Sequence, residues 1–312
     1  MGLNAALAVH PASGHGAAAR IADTVAERLR PAVDRLDVLV ATSVDESRAL
    51  MRSAHADGLD VLIVLGGDGA AHQGVQFCAE HDVALGLVPS GTGNDFARAL
   101  GTPPDALASA DALASADTLA EALRAGTRRR LDLGRIDGGT AAGAWFATVL
   151  CSGFDAAVNA RANRLRRPSG PRRYDVAILA ELAAFRPRPI TLHTDEGTVE
   201  LDATLVAVGN TPYYGGGVPI CPRATPDDGL FDVTVIGAAG RLQLLRLLPG
   251  LRTGAHLDHP AVRTLRTRKV SIETGSETGT APGWPAYADG ESQGTTPVTA
   301  TCVPGALTVV AP

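Results

Sequence analysis

Two glycine-rich, acid-bearing turns, each placed directly after an apolar run, restrict this chain more than any other feature. Val61–Leu65 is five apolar residues without a break, and Gly66-Gly67-Asp68-Gly69 follows at once. Ala84–Val88 is a second apolar run, followed by Pro89-Ser90-Gly91-Thr92-Gly93-Asn94-Asp95-Phe96. Runs of this kind read as strands covered on both faces, the pattern of a parallel sheet. Leu3–Val9 and Leu36–Ala41 read as two earlier strands, and helices are expected over Gly14–Leu29, 45–56, 70–81 and 94–100. Strand–helix alternation of this kind predicts a parallel-sheet α/β domain.

At 312 residues two domains are expected. An Ala-rich helix over 104–125 carries the sequence ALASAD twice and closes the first domain. From about residue 130 short strand-like runs take over: Leu131–Ile136, Phe146–Cys151, Ile190–His193, Val199–Val208, Phe231–Ile236, Arg268–Glu273 and Val298–Cys302. Gly and Pro punctuate them, which predicts a mostly β second domain. Helices are expected near 155–165, 173–185 and 240–248. The boundaries read as 1–128, 129–303 and a terminal segment 304–312, whose Leu307–Val310 run either returns to the first domain or stays with the second.

The net charge of −5 excludes nucleic-acid binding by bulk electrostatics. Cys78, Cys151, Cys221 and Cys302 are scattered without a CxxC pair, and read as buried thiols of a reducing cytosol. The N-terminus lacks the charged region of a signal peptide, and no run of 18 apolar residues is present. A cytoplasmic protein is expected, one that visits a membrane surface if its substrate is a lipid.

The turns point to phosphate chemistry. A strand ending in three glycines around one acid leaves backbone N–H groups bare, and the next helix aims its N-terminus at the same place. Asp68 cannot meet a phosphate directly, so it is expected to hold Mg²⁺ or a metal-bound water. A tight strand-to-helix turn with Asp68 as helix cap fits those four residues equally well. No GK[ST] follows, so this is not a Walker A loop. In the second turn Gly91 and Gly93 offer N–H groups, Thr92 a hydroxyl, and Asn94 or Asp95 a helix cap. A third turn, His10-Pro11-Ala12-Ser13-Gly14, follows the first strand, and Thr42 follows the second. All four lie at carboxyl ends of strands, where open α/β sheets bind ligands.

These residues resemble the diacylglycerol kinase catalytic domain, within the superfamily shared with sphingosine kinases and NAD kinases. The second half agrees in order: Gly153-Phe154-Asp155-Ala156, Gly209-Asn210-Thr211 with Gly215-Gly216-Gly217, Pro222–Val233 (PRATPDDGLFDV), and Asp289-Gly290-Glu291. The chain is most similar to soluble diacylglycerol kinases of actinobacteria. The resemblance implies an N-terminal α/β domain and a C-terminal β-sandwich with the site in the cleft between them. It implies ATP on His10, Pro11, Ala12, Ser13 and Gly14, on Thr42, on Gly67, Gly69, Ala70, Ala71, His72 and Gln73, and on Thr92. It implies Glu291 as proton acceptor, and a structural Mg²⁺ on Asp228 with the carbonyls of Thr225 and Leu230, linked through water to Asp95. It also implies a possible homodimer through the β domain. The chain departs from the family pattern at His10, where Asn is usual, and at Ala70, His72 and Gln73, where Thr and an Asn-Glu pair are usual.

The function expected is a Mg²⁺- and ATP-dependent lipid kinase that turns diacylglycerol into phosphatidic acid. Another lipid acceptor (a sphingoid base, a prenol or phosphatidylglycerol) and a degenerate, non-catalytic binding homologue are the alternatives. Glu291 would take the proton of the lipid hydroxyl; Asp289-Gly290-Glu291 also fits a type I′ hairpin turn with an exposed Glu. Arg161, Arg164, Arg166, Arg167, Arg172 and Arg173 fall within 13 residues, and no acid lies between Ala156 and Tyr174. That cluster is expected to dock the enzyme peripherally on an anionic membrane, at the inner face of the plasma membrane; a solvated helix face is the plainer reading.

Overall fold

The structure, a computed structural model, describes residues 2–10, 17–102, 112–138, 142–165, 172–275 and 283–311. It divides into two compact units. The first comprises Met1–Leu133, Gly215–Gly217 and Pro304–Pro312, the second Gly134–Tyr214 and Val218–Val303.

In the first unit, β1 (Asn4–Val9), α1 (Ala17–Leu29), β2 (Arg35–Val40), α2 (Val44–Ala56), β3 (Val61–Gly66), α3 (Asp68–His81), β4 (Ala84–Pro89), α4 (Asp95–Ala99) and α5 (Ala112–Ala125) follow in turn. Residues 103–111, with the first ALASAD copy, lie outside the described residues. The strands pair in parallel in the order β2-β1-β3-β4. The chain's last strand, β15 (Val298–Val309), adds its end to β4: Val309 lies opposite Leu85, and the Val310 N–H donates to the Leu85 carbonyl at 2.8 Å.

Every residue of β3 is buried because helices cover both faces. Leu7, Ile63 and Leu65 pack with Val25 and Leu29 of α1 and Leu119 and Leu123 of α5. Each such side chain removed from water contributes about 1.5–3 kcal/mol. On α3, Gly74 has no room for a side chain, since a Cβ there would stand 2.7 Å from Val64 Cγ2. Strand order reverses at β1, which lies between β2 and β3. The carboxyl ends of β1 and β3 therefore flank the crevice where α/β sheets receive ligands, and Gly66–Gly69 sits at one of those ends.

The chain enters the second unit within β5 (Arg129–Asp137). There follow β6 (Trp145–Phe146), β7 (Val149–Gly153), α6 (Phe154–Arg164), α7 (Arg172–Ala184), β8 (Arg188–Thr194), β9 (Gly197–Gly209), β10 (Phe231–Gly237), α8 (Arg241–Leu251), β11 (Val262–Thr267), β12 (Lys269–Thr274), β13 (Pro285–Ala288) and β14 (Glu291–Thr295). β9 organises this antiparallel unit. β8 pairs along its first half, and β7 and β10 flank its second. β12 joins β8 to β15, β13 joins β7 to β14, and β11 closes on β10. One core holds the stacked rings of Phe146 and Phe231, 5.6 Å between centroids. A second core gathers the inner faces of α6, α7 and α8.

The expected strand over Phe146–Cys151 divides in two. It breaks at Ala147 and Thr148, whose N–H groups are drawn to the Asp289 carboxylate instead of a ladder partner. β11, β13 and β14 escape the apolar pattern because Arg263, Thr264 and Arg266, Pro285, and Glu291, Ser292 and Gly294 interrupt it. All four cysteines are buried thiols outside any disulfide.

Candidate active site

The first glycine turn leads straight into α3, with Gly67 as N-cap and Asp68 as its first residue. The Asp68 side chain reaches across to the neighbouring turn. Its two carboxylate oxygens accept the N–H of Asn94 at 2.8 Å and of Asp95 at 2.6 Å, so it caps α4 from the neighbouring turn. Asn94 and Asp95, the expected caps, are occupied elsewhere. Asn94 adopts a left-handed backbone, φ 54°, and its amide brackets Gly91, accepting the Gly91 N–H at 3.1 Å and donating to the Gly91 carbonyl at 2.8 Å.

This clasp explains several glycines without any ligand. A Cβ on Gly91 would stand 2.6 Å from Gly67 Cα, and one on Gly93 would stand 2.3 Å from an Asp68 oxygen. Gly69 differs: it is exposed, and a Cβ there would meet nothing within 4 Å. The space between the turns is only about 10 Å³. Room for a ligand therefore exists over Gly69 and the first turn of α3, not inside the clasp.

Asp95 is 6% exposed. Its carboxylate accepts the N–H groups of Gly216 at 3.0 Å and Gly217 at 2.6 Å. Burial first, and then the neighbouring Asp68 charge, push its pKa up to about 6 against the opposing pull of those N–H groups and of Arg98. Sequence pattern assigns no task to Gly215-Gly216-Gly217 beyond membership of the resemblance. Its signal was the run itself: all three have positive φ, and a Cβ on Gly217 would stand 3.0 Å from the Arg98 guanidinium.

Other expected nucleotide contacts are less uniform. Thr92 is exposed, Ala70 and Gln73 are half-buried, and Ala71 and His72 are buried. Gln73 accepts from Arg48 Nε at 3.2 Å. The Thr42 hydroxyl donates to Glu46 at 2.7 Å. His10 directly follows β1; Pro11, Ala12, Ser13 and Gly14 lie outside the described residues.

In the second unit Asp289 and Gly290 form a two-residue type I′ turn, φ 50° and 83°, joining β13 to β14. Asp289 holds this turn. It accepts from Ala147 N at 2.9 Å, Thr148 N at 2.8 Å and Thr148 Oγ1 at 2.6 Å. Glu291 opens β14, exposed, paired through its backbone with Ala288.

The Asp228 carboxylate accepts the Leu230 N–H at 3.0 Å on one oxygen and pairs with the Arg266 guanidinium on the other. Arg266 Nε also reaches Asp232 at 3.3 Å. With Thr225 and Arg223 these residues line an open groove of about 500 Å³. Because Arg266 already supplies the positive charge, Thr225, Asp228 and Leu230 do not fit a resident Mg²⁺, and no step is assigned to one there. Among the described residues no three His, Cys, Asp or Glu side chains gather as a metal cage.

Of the arginine cluster, Arg161 pairs with Glu181 of α7 and Arg164 is exposed at the end of α6. Arg172 and Arg173 open α7, and Arg166 and Arg167 lie outside the described residues. Among the described residues no helix is long and apolar enough to cross a membrane.

Residues 4–136 match the diacylglycerol kinase catalytic domain, and residues 148–311 match the YegS C-terminal NAD kinase beta sandwich-like domain. A diacylglycerol kinase of Mycobacterium tuberculosis is 41% identical over 306 residues, 97% of this chain and 93% of that one. The chain belongs to the diacylglycerol kinase family. A Xanthomonas campestris member, "Probable lipid kinase YegS-like", is 33% identical over 242 residues, 74% of each chain. The crystal structure of a diacylglycerol kinase from Bacillus anthracis shares the family fold, with a TM-score of 0.71 at 20% identity over 100% of this chain and 97% of that one. Asp68, Asp95 and Gly69 thus belong to the catalytic domain of this kinase family, and Glu291 to its sandwich domain.

Proposed function

We propose that this kinase moves the γ-phosphoryl group of ATP onto the free hydroxyl of diacylglycerol, yielding phosphatidic acid. The observation that carries the reading is the clasp of two glycine turns at the carboxyl ends of β3 and β4, with open space in front of Gly69. The first N–H groups of α3 have no intrahelical acceptor and face an anion with the positive end of the helix dipole. Phosphate oxygens would lie over Gly69 and Ala70, with Gly66, Gly67, Gly91, Thr92 and Gly93 around them. His10–Gly14, Thr42 and Ala71–Gln73 complete the proposed nucleotide contacts.

Asp68 fits a Mg²⁺ ion of the kind that takes one protein carboxylate and fills its shell with phosphate oxygens and water. Its two oxygens accept the N–H groups of Asn94 and Asp95, and it stands one residue before the exposed Gly69. Such an ion, when bound, neutralises charge on the β- and γ-phosphates. Asp68 also keeps the second turn in register, and Asp95 ties that turn to Gly216 and Gly217.

Glu291 is assigned as the base. Its carboxylate is exposed, on a turn held rigid by Asp289. Removing the hydroxyl proton as the new O–P bond forms is worth roughly 10²–10⁴-fold. The exposed Arg164 and the arginines around it would draw the enzyme to an anionic bilayer.

The Xanthomonas relative names only a lipid, so another lipid hydroxyl is the second reading. Turnover with ATP on micelles of diacylglycerol, a sphingoid base, a prenol and phosphatidylglycerol separates the two. Diacylglycerol is expected to be preferred; a preference for another lipid would reassign the acceptor.

A further inference from the structure

Among the described residues six large apolar side chains are exposed, and four of them lie on α7 and α8: Val176, Leu179, Leu242 and Leu245. Leu242 is 72% exposed and Leu179 is 66% exposed. The two helices touch, and Arg241 of α8 donates to the Ala183 carbonyl of α7. The exposed apolar side chains thus lie on two adjacent, touching helices.

Each helix is already satisfied on its inner side. Ala177 and Leu182 of α7, and Leu244, Leu247 and Leu251 of α8, enter the core beneath. The outer leucines are a second apolar stripe that the fold does not use. At about 100° per residue, the exposed arc of α8 runs Arg241, Leu245, Pro249, Leu242, Arg246, so an apolar centre carries a guanidinium on either side. On α7, Val176, Leu179 and Ala183 line up at spacings of three and four residues. Residues 233–257 contain Arg241, Arg246 and Arg252 and no acid.

We propose that this α7–α8 face is the surface that seats in an anionic lipid bilayer, its leucines in the acyl boundary and its arginines at the headgroups. The inference rests on the lipid-kinase reading, and adds the contact by which such an enzyme reaches its substrate. Helices of this kind lie in the membrane interface, held by apolar area together with attraction to anionic lipid. A second copy of the chain is the poorer occupant. A two-fold contact centred on α8 would set Arg241 and Arg246 against their own counterparts, with no α8 carboxylate to meet them.

The test uses the full chain and two substitutions, Leu179→Asp and Leu242→Asp, at positions exposed enough to leave the fold intact, checked by thermal denaturation. Sedimentation with phosphatidylcholine vesicles containing phosphatidylglycerol is expected to show binding that the double variant weakens by about tenfold or more. Turnover of vesicle-embedded diacylglycerol should fall in parallel, while turnover of a short-chain, monomeric diacylglycerol stays within about twofold. Vesicle binding unchanged by the double substitution would overturn the proposal. So would a wild-type dimer in sedimentation velocity that the substitutions dissociate, which would give the face to a second copy. Leucine-dependent vesicle binding without phosphorylation of any lipid would support the surface and remove the kinase reading alone.

Discussion

Asp68 accepts the backbone N–H of Asp95 at 2.6 Å, and the two carboxylates thereby share one corner of the first unit. The contact fixes the second glycine turn, and it sets one negative charge beside another that is buried.

Removing Asp68 should therefore loosen structure as well as chemistry. Two charge-assisted hydrogen bonds are lost in Asp68→Ala, each worth about 1.5–3 kcal/mol. Urea denaturation should show a loss on the order of 3–6 kcal/mol, and ATP affinity should fall with it. An unchanged midpoint would mean that the clasp adds nothing to stability.

The glycines should separate by role. Gly93→Ala forces a Cβ to 2.3 Å from Asp68, so its melting temperature should drop by several degrees. Gly69→Ala meets nothing within 4 Å and should melt like the wild type, yet raise KM for ATP because its methyl group occupies the proposed phosphate approach. Equal behaviour in both assays would contradict this division.

Asp95 should make stability depend on pH. Its folded pKa of about 6 lies above the ordinary 3.8, so the folded protein holds this proton more firmly than the unfolded chain. That contribution is complete below pH 3.8 and disappears as pH rises through about 6. Asp95→Asn should flatten the fall in stability between about pH 4 and 6, whatever it does to the absolute level. The same slope in wild type and variant would remove Asp95 as its source.

Arg266 should behave as a built-in cation. In Arg266→Met, Asp228 and Asp232 lose their partner, which should lower the melting temperature and make it rise again with added Mg²⁺. The wild type should show no such rise from this groove. A variant as stable as wild type and indifferent to Mg²⁺ would dismiss the pairing.

The parallel sheet was legible because Val61–Leu65 and its fellow runs need cover on both faces, and local patterning records that need. The turns were legible as tight strand-to-helix junctions because three glycines around an acid cannot continue a strand, although those four residues alone did not choose between a phosphate cradle and a plain turn. Their inner mechanics were not. Asp68 reaches residues 26 and 27 positions away, and neither turn alone records that one caps the other's helix. Arg266 was silent for the same reason, since it meets Asp228 from a strand 38 residues distant. β13 and β14 were hidden by Pro285 and Gly294, so Glu291 was read from its motif and not from a strand.

The most direct test gives the wild type and Glu291→Gln γ-labelled ATP, Mg²⁺ and diacylglycerol micelles side by side, with ATP affinity measured separately. The account predicts labelled phosphatidic acid from the wild type, and at least about 100-fold less from the variant at similar ATP affinity. Label in no lipid from the folded wild type, or equal label from both proteins, would contradict it.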